Sequence, residues 1–126
     1  EKLCNQDEET QYLGRVSDKR LWELYRDCKA FLHPIESEDF GMMPLEAASV
    51  GSPTIAYYSA GAKETVKQGE TGLFFHQLTA DSLAKSIKKF EKQDFSSQDC
   101  QTWSKKFSKH NFKKRIKDFV EENLAD

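Results

Sequence analysis

The sequence predicts an α/β fold built on a parallel sheet with flanking helices. Three observations carry this. Short apolar or aromatic runs (AFLH at 30–33, SPTIAYY at 52–58, LFF at 73–75) alternate with stretches whose apolar residues recur at helical spacing. The run at 30–33 has no polar alternation before Pro34, the pattern of a strand covered on both faces. Helix punctuation falls between the runs, with Pro44 near the start of one segment and Gly51 at its end.

Taken in order, residues 1–10 are polar and acidic and look like the end of something that begins upstream. QYLGRV at 11–16 reads as a short strand ending at Gly14. Ser17 or Asp18 then caps a helix to about Lys29, whose Leu21, Leu24, Tyr25 and Cys28 repeat at i, i+3, i+4, i+7 and face the sheet. After the strand at 30–33, a helix carries Leu45, Ala47, Ala48 and Val50 inward, its small residues permitting close approach to the sheet. Residues 59–62 form a tight turn into a short helix over 63–67, and Gly69 and Gly72 bracket a turn before the third run. Thr79 or Asp81 caps a helix holding Leu83, Ala84, Ile87 and Phe90. A linker rich in Ser, Gln and Asp leads to one or two terminal helices, with Trp103, Phe107, Phe112, Ile116, Phe119 and Val120 as an inward stripe and the lysines of 105–117 turned to solvent.

Composition narrows the function. The 126 residues suffice for one domain. A net charge of −2, from 19 basic and 21 acidic residues, gives no electrostatic case for nucleic acid. With 37% hydrophobic and 32% charged residues, the interior must lean on nine Phe, four Tyr and two Trp. The three cysteines, Cys4, Cys28 and Cys100, and the three histidines, His33, His76 and His110, are scattered without metal-ligand spacing. They read as reduced intracellular thiols, Cys28 buried on its helix, and as strand-end imidazoles satisfied by backbone, His33 being the better site candidate. With no apolar run of membrane-spanning length, the expected location is cytoplasmic, with peripheral contact at the inner face of a membrane left open.

The chemistry is expected between residues 36 and 51, ESEDFGMMPLEAASVG. Glu38 and Glu46 stand eight positions apart, one ahead of a helix and one in its first turns. Gly41 allows close backbone approach. The N–H groups of Met42, Met43 and Leu45 would then point out of the helix tip, a geometry that accepts an oxyanion or a hydroxyl-rich ligand. One pocket receiving both carboxylates would suit this. Two blander or rival readings stand beside it: an ordinary strand–loop–helix connection with solvated acids, and a glycosidase-like acid/base pair, against which no apolar pocket raises either pKa. In an open parallel sheet the ligand crevice lies beyond the carboxyl ends of the strands, so the loops at 14–16, 34–41 and 59–61 are expected on one rim.

These residues carry a resemblance. PIESEDFGMMPLEAASVGSPTIAYYSAGAKETVKQGETGLFF resembles the signature of the retaining, nucleotide-sugar-dependent glycosyltransferases of the GT-B fold, the group 1 (family 4) class, and Glu38 and Glu46 match its EX7E motif. The preceding YLGRVSDKRLWELYRDCKAFLHP is similar to the segment leading into that motif, so the resemblance spans about residues 11–90. EDFGMMPLEA looks like the mannosyltransferase branch that uses GDP-mannose. The resemblance implies a partial Rossmann-like domain, part of the C-terminal domain of such an enzyme, with residues 1–126 forming one nucleotide-sugar-binding unit: an α/β core at about 11–90 and C-terminal helices at 96–126. It implies that Glu38, the residue nearest the chemistry, holds donor-sugar hydroxyls as a positioning group rather than a nucleophile. Phe40, Gly41, Met42 and Met43 would line the sugar and diphosphate, Leu45 would offer its amide near a phosphate, Glu46 would take the ribose hydroxyls, and Arg15 and Val16 would lie against the base. No cofactor and no metal are implied.

Departures from the family pattern shape the remaining expectations. The Arg and Lys that clamp the phosphates in the family, and the acceptor-binding domain that precedes them, have no counterpart in this sequence. Asp39 stands where Gly is frequent, and Ala60 replaces the first Gly of a usual pair. The chain is therefore expected not to transfer sugar alone, to need a missing N-terminal domain or a partner chain, and to self-associate through an exposed sheet edge. The resemblance implies a nucleotide-sugar donor such as GDP-mannose or a UDP-sugar as its partner, and polysaccharide biosynthesis on a glycan or lipid-linked acceptor as its context. The competing class is a binding or interaction module that keeps the fold without the chemistry.

Overall fold

The computed structural model describes residues 8–124. Ser17, extended at φ −67° and ψ 157°, accepts from the Arg20 amide and starts α1, Asp18–Asp27. The chain then forms β1 (Phe31–His33), α2 (Met42–Ser49), β2 (Thr54–Tyr57), α3 (Ala62–Thr65), β3 (Gly72–Phe75), α4 (Ala80–Phe90, capped by Thr79), α5 (Ser97–Lys105, capped by Ser96) and α6 (Lys109–Leu124). The three strands lie parallel in sequence order β1-β2-β3, with Leu32 opposite Ile55 and Ile55 opposite Leu73. Each parallel pair is joined by a helical crossover, as such pairs require. The predicted α/β class with a parallel sheet is what the chain adopts.

The core sits where α2 meets the sheet. β2 is the central strand, and its Thr54, Ile55 and Ala56 are all buried, as expected for a strand covered on both faces. α2 packs on β1 and β2 through Leu45, Ala47 and Ala48 and is itself covered by α1, α3 and α5, while α4 packs against β3. Its end is a Schellman closure: the Gly51 amide reaches the Ala48 carbonyl at 3.0 Å and the Ser52 amide the Ala47 carbonyl at 3.0 Å, with Gly51 at φ +92°.

Several expectations need correction. Residues 11–16 form no strand: Gly14 turns the chain at φ +61°, and among the described residues the segment does not pair with the open edge of β1. The loop at 14–16 therefore does not follow a strand. β1 is not covered on both faces. Phe31 and His33 share one face, where Phe31 meets Tyr25 of α1, whereas Leu32 points the other way and is 43% exposed. α1 ends at Asp27, Cys28 is its half-buried C-cap rather than a buried helical residue, and Leu21 is exposed. α3 stops at Thr65, short of the expected 63–67. The stripe on α6 does not face inward: Phe112 and Phe119 are 64% and 63% exposed. Cys4 and most of the segment 1–10 lie outside the described residues.

Candidate functional site

The carboxyl end of β1 delivers His33 to the mouth of the sheet, and the loop 34–41 follows it. This loop has no regular structure, so its shape is set by neighbours. The Gly61 amide donates to the Glu38 carbonyl at 2.9 Å, and the Ser59 hydroxyl donates to the Glu36 carbonyl. Gly61 also presses directly on the backbone of Phe40, where an added Cβ would stand 2.2 Å from the Phe40 carbonyl carbon. The turns after β1 and β2 thus form one rim, as the parallel-sheet rule requires.

At the end of that loop Gly41 takes φ +84° and ψ 58° and serves as the N-cap of α2 with no side-chain cap. The left-handed backbone favours glycine there, and the space that a Cβ would need is occupied by Thr65 Oγ1, 2.8 Å away. Gly41 is therefore buried, with the space on its Cβ side taken by α3. The next two residues, Met42 and Met43, are exposed, and among the described residues their amides have no hydrogen-bond partner. They present the positive end of the α2 dipole outward. Pro44 and Leu45 are buried behind them.

Glu38 keeps 24% of its side chain exposed beside this tip, and its Oε2 lies 3.3 Å from Nε2 of His33. His33 is 1% exposed, and neither ring nitrogen has an aligned hydrogen bond, so the backbone does not satisfy this histidine as the sequence suggested. Burial pushes the imidazole pKa down, and the Glu38 carboxylate pulls it partly back. Glu46 turns to another partner: the Tyr25 hydroxyl donates to its Oε2 at 3.3 Å. Burial first, and Glu46 second, raise the Tyr25 pKa from 10.0 to about 12. The rings of Tyr25 and His33 both contact Phe31, at 5.3 Å and 5.7 Å between centroids. The two acids are therefore tied, through separate partners, to opposite ends of one aromatic row.

A groove of about 900 Å³ runs from the α2 tip along α6, walled by Phe40, Met42, Phe107, Phe112, Ile116 and Phe119 and rimmed by Lys106, Arg115, Glu64 and Glu122. Phe40 and Met42 of the predicted set lie on it, but its walls contain neither Glu38 nor Glu46. The structure thus brings Glu38, Phe40, Gly41, Met42 and Met43 together at one tip and sets Glu46 on the α1 side. Arg15 is exposed and Val16 half-buried, and among the described residues no hydrogen bond or ion pair joins either to the loop or to α2. The partners of the two acids, Tyr25 and His33, were not assigned from sequence. His33 at a strand end just before Pro34 was the one available signal. Among the described residues no group of three or more His, Cys, Asp or Glu is placed to hold a metal ion, and no helix is long and apolar enough to cross a membrane.

A parallel sheet whose strand ends lead into a glycine-capped helix tip with an adjacent carboxylate defines an open-sheet, Rossmann-like α/β protein. Comparison with known proteins gives the family: the chain belongs to the glycosyl transferases group 1, whose family description matches residues 2–121. It is 33% identical over 92 residues to the human alpha-1,3/1,6-mannosyltransferase ALG2, covering 71% of this chain and 22% of that protein. The lipopolysaccharide core biosynthesis mannosyltransferase LpcC of Rhizobium leguminosarum bv. viciae is 30% identical over 76 residues, 60% of this chain and 21% of its own length. The UDP-N-acetylglucosamine–peptide N-acetylglucosaminyltransferase GtfA subunit of Streptococcus parasanguinis is 30% identical over 128 aligned positions, 92% of this chain and 25% of its own. The chain spans between a fifth and a quarter of the length of these relatives.

Proposed function

We propose that this chain is the donor-binding portion of a retaining glycosyltransferase, which transfers a sugar from a nucleotide diphosphate sugar, GDP-mannose or a UDP-sugar, to a glycan or lipid-linked acceptor. The observation that carries the proposal is the α2 tip, where the unpartnered Met42 and Met43 amides stand beside a partly exposed Glu38. A diphosphate suits the amides and the helix dipole. Sugar hydroxyls suit an ionised carboxylate, with each charge-assisted bond worth about 1.5–3 kcal/mol. In this reading Glu38 orients the sugar, Phe40, Gly41, Met42 and Met43 line the sugar and diphosphate, and the Leu45 amide lies near a phosphate. The Glu46 oxygen not engaged by Tyr25 takes a ribose hydroxyl, and the backbone of Arg15 and Val16 lies against the base. Catalysis rests on stabilising the departing diphosphate while an oxocarbenium-like transition state forms at the anomeric carbon. No metal is assigned to that step, and the chain alone does not transfer sugar.

The mannosyltransferase names among the relatives favour a mannosyl donor, and the resemblance of EDFGMMPLEA to the GDP-mannose branch makes GDP-mannose the first donor to try. A second reading, that the chain belongs to one half of a two-chain enzyme, takes its motive from a relative named as a subunit, of which this chain covers 25%. Calorimetric titration of the chain with GDP-mannose, UDP-glucose and UDP-GlcNAc tests the donor role. Saturable binding of one donor, weakened in Glu46→Ala, is the expected result. Absence of binding to all three leaves the non-catalytic interaction module as the better description, and equal binding by Glu46→Ala removes the ribose role from Glu46.

A further inference from the structure

We propose that His33 is the positioning residue for the Glu38 carboxylate, a neutral imidazole at the carboxyl end of β1 that offers its Nε2 proton to Glu38 Oε2 across 3.3 Å. The inference deepens the donor-site reading above and rests on it for what Glu38 is held toward. The contact itself rests on geometry alone.

Glu38 belongs to a loop without regular hydrogen bonding, so a carboxylate there would ordinarily sample several rotamers. Its main chain is fixed by the Gly61 amide, which donates to the Glu38 carbonyl at 2.9 Å. That bond holds the Cα and leaves the side chain free. Among the described residues the group that meets the carboxylate is His33, which is 1% exposed and cannot swing away, since its ring packs 5.7 Å from the Phe31 centroid. Both ring nitrogens lack an aligned partner. A buried donor without an acceptor is unfavourable, and among the described residues the acceptor beside Nε2 is Glu38 Oε2. A carboxylate can only accept, so the imidazole proton that serves the pair sits on Nε2. A modest rotation of the Glu38 carboxylate converts the unaligned 3.3 Å contact into a hydrogen bond. Two-point fixation, at the main chain by Gly61 and at the carboxylate by His33, pre-sets the acid before a ligand arrives.

The test uses the whole chain labelled with nitrogen-15 in its imidazoles. Near neutral pH, proton–nitrogen correlation should report the neutral Nε2–H form for His33, and Glu38→Gln should shift the His33 signals. A titration with GDP-mannose and UDP-GlcNAc then compares His33→Gln, which keeps an N–H donor near the Nε2 position, with His33→Phe, which keeps the ring shape and removes the donor. Phe should weaken the donor that binds by about tenfold and Gln by no more than about threefold. An Nδ1–H form, or equal binding by the wild type and both variants, overturns the assignment. If the wild type binds neither donor, the donor-site reading fails and the spectra alone decide: His33 signals indifferent to Glu38→Gln overturn the positioning role, and shifted ones support it. Should His33→Phe fail to fold, the His33 tautomer and the Glu38→Gln spectra carry the decision.

Discussion

The Tyr25 hydroxyl and the Glu46 carboxylate, 3.3 Å apart, join α1 to α2, so the second acid of the spaced pair also holds the helix layer together. Tyr25 is 6% exposed and its ring meets Phe31 and Trp22 edge-on, which leaves the hydroxyl as the only polar part of a buried aromatic. Removing that hydroxyl keeps the packing and deletes the bond. Tyr25→Phe should cost about 1 kcal/mol of stability, the ordinary net value of a hydrogen bond at this length. Urea denaturation checks it, and a change within error would mean that Glu46 is equally well served by water.

The same pair fixes the behaviour at high pH. Tyr25 ionises at about 12 in the fold against 10.0 for a free tyrosine. Below pH 10 both states keep the proton and the contribution is fully present. As pH rises further, the unfolded chain releases a proton that the fold retains, so stability falls until Tyr25 itself ionises near 12, by up to about 1.4 kcal/mol per pH unit. Ultraviolet titration should show a late phase from Tyr25, and Tyr25→Phe should abolish both that phase and its share of the alkaline loss.

His33 acts at the other end of the scale, with the opposite sense of proton flow. Its pKa lies below the ordinary 6.5 because burial disfavours the imidazolium, with Glu38 opposing. Above pH 6.5 neither state carries the proton. Below it the unfolded chain takes up a proton that the fold resists, so stability falls as pH falls, again by up to about 1.4 kcal/mol per unit. His33→Gln should flatten that limb of the stability profile. An unchanged acid limb would show that other groups carry it.

Much of this was legible from local residues, and what was not depends on distant ones. Pro44 and Gly51 announced α2 because a proline near the start and a left-handed glycine at the end are decided within a turn of helix. Thr79 announced α4 for the same reason. Residues 11–16 have strand composition, yet a strand exists only if a neighbour pairs with it, and no run of residues states that. The α6 stripe was visible as a period, but a period does not say what covers it. The site divided in the same way. Glu38, Phe40, Gly41, Met42 and Met43 were found together because they are contiguous, whereas Tyr25 and His33 reach the two acids only after the chain has folded. Ala60 is instructive, since its departure from a glycine pair was read from sequence and its backbone proves left-handed at φ 35°.

That turn yields a paired prediction. Ala60→Gly removes a strained backbone and should raise stability by about 0.5–1 kcal/mol, the strain relieved exceeding the entropy that glycine adds to the unfolded chain. Gly61→Ala, one residue on, forces a methyl onto the Phe40 carbonyl carbon and should cost about 1–3 kcal/mol. Because the displaced backbone is the loop bearing Glu38, Gly61→Ala should also weaken donor binding by more than its loss of stability accounts for. Thermal melts and calorimetry on the two variants separate these effects.

The exposed face of α6 should govern solution behaviour. Phe112, Ile116 and Phe119 lie along one side of a helix that the rest of the described chain leaves largely uncovered, and they wall one side of the groove reached from Phe40. The sheet adds to this tendency, because β1 and β3 have no outer strand among the described residues and Leu32 of β1 is exposed. Apolar surface of this extent drives association in water. The apparent mass in sedimentation velocity should therefore rise with concentration. Phe112→Ser combined with Phe119→Ser should suppress the rise while changing stability by no more than about 0.5 kcal/mol, since both side chains are already mostly solvated. Monomeric sedimentation of the wild type across a wide concentration range would overturn the prediction. Association that persists in the double variant would move its cause from α6 to the open strand edges, where a charged replacement at Leu32 is the next test.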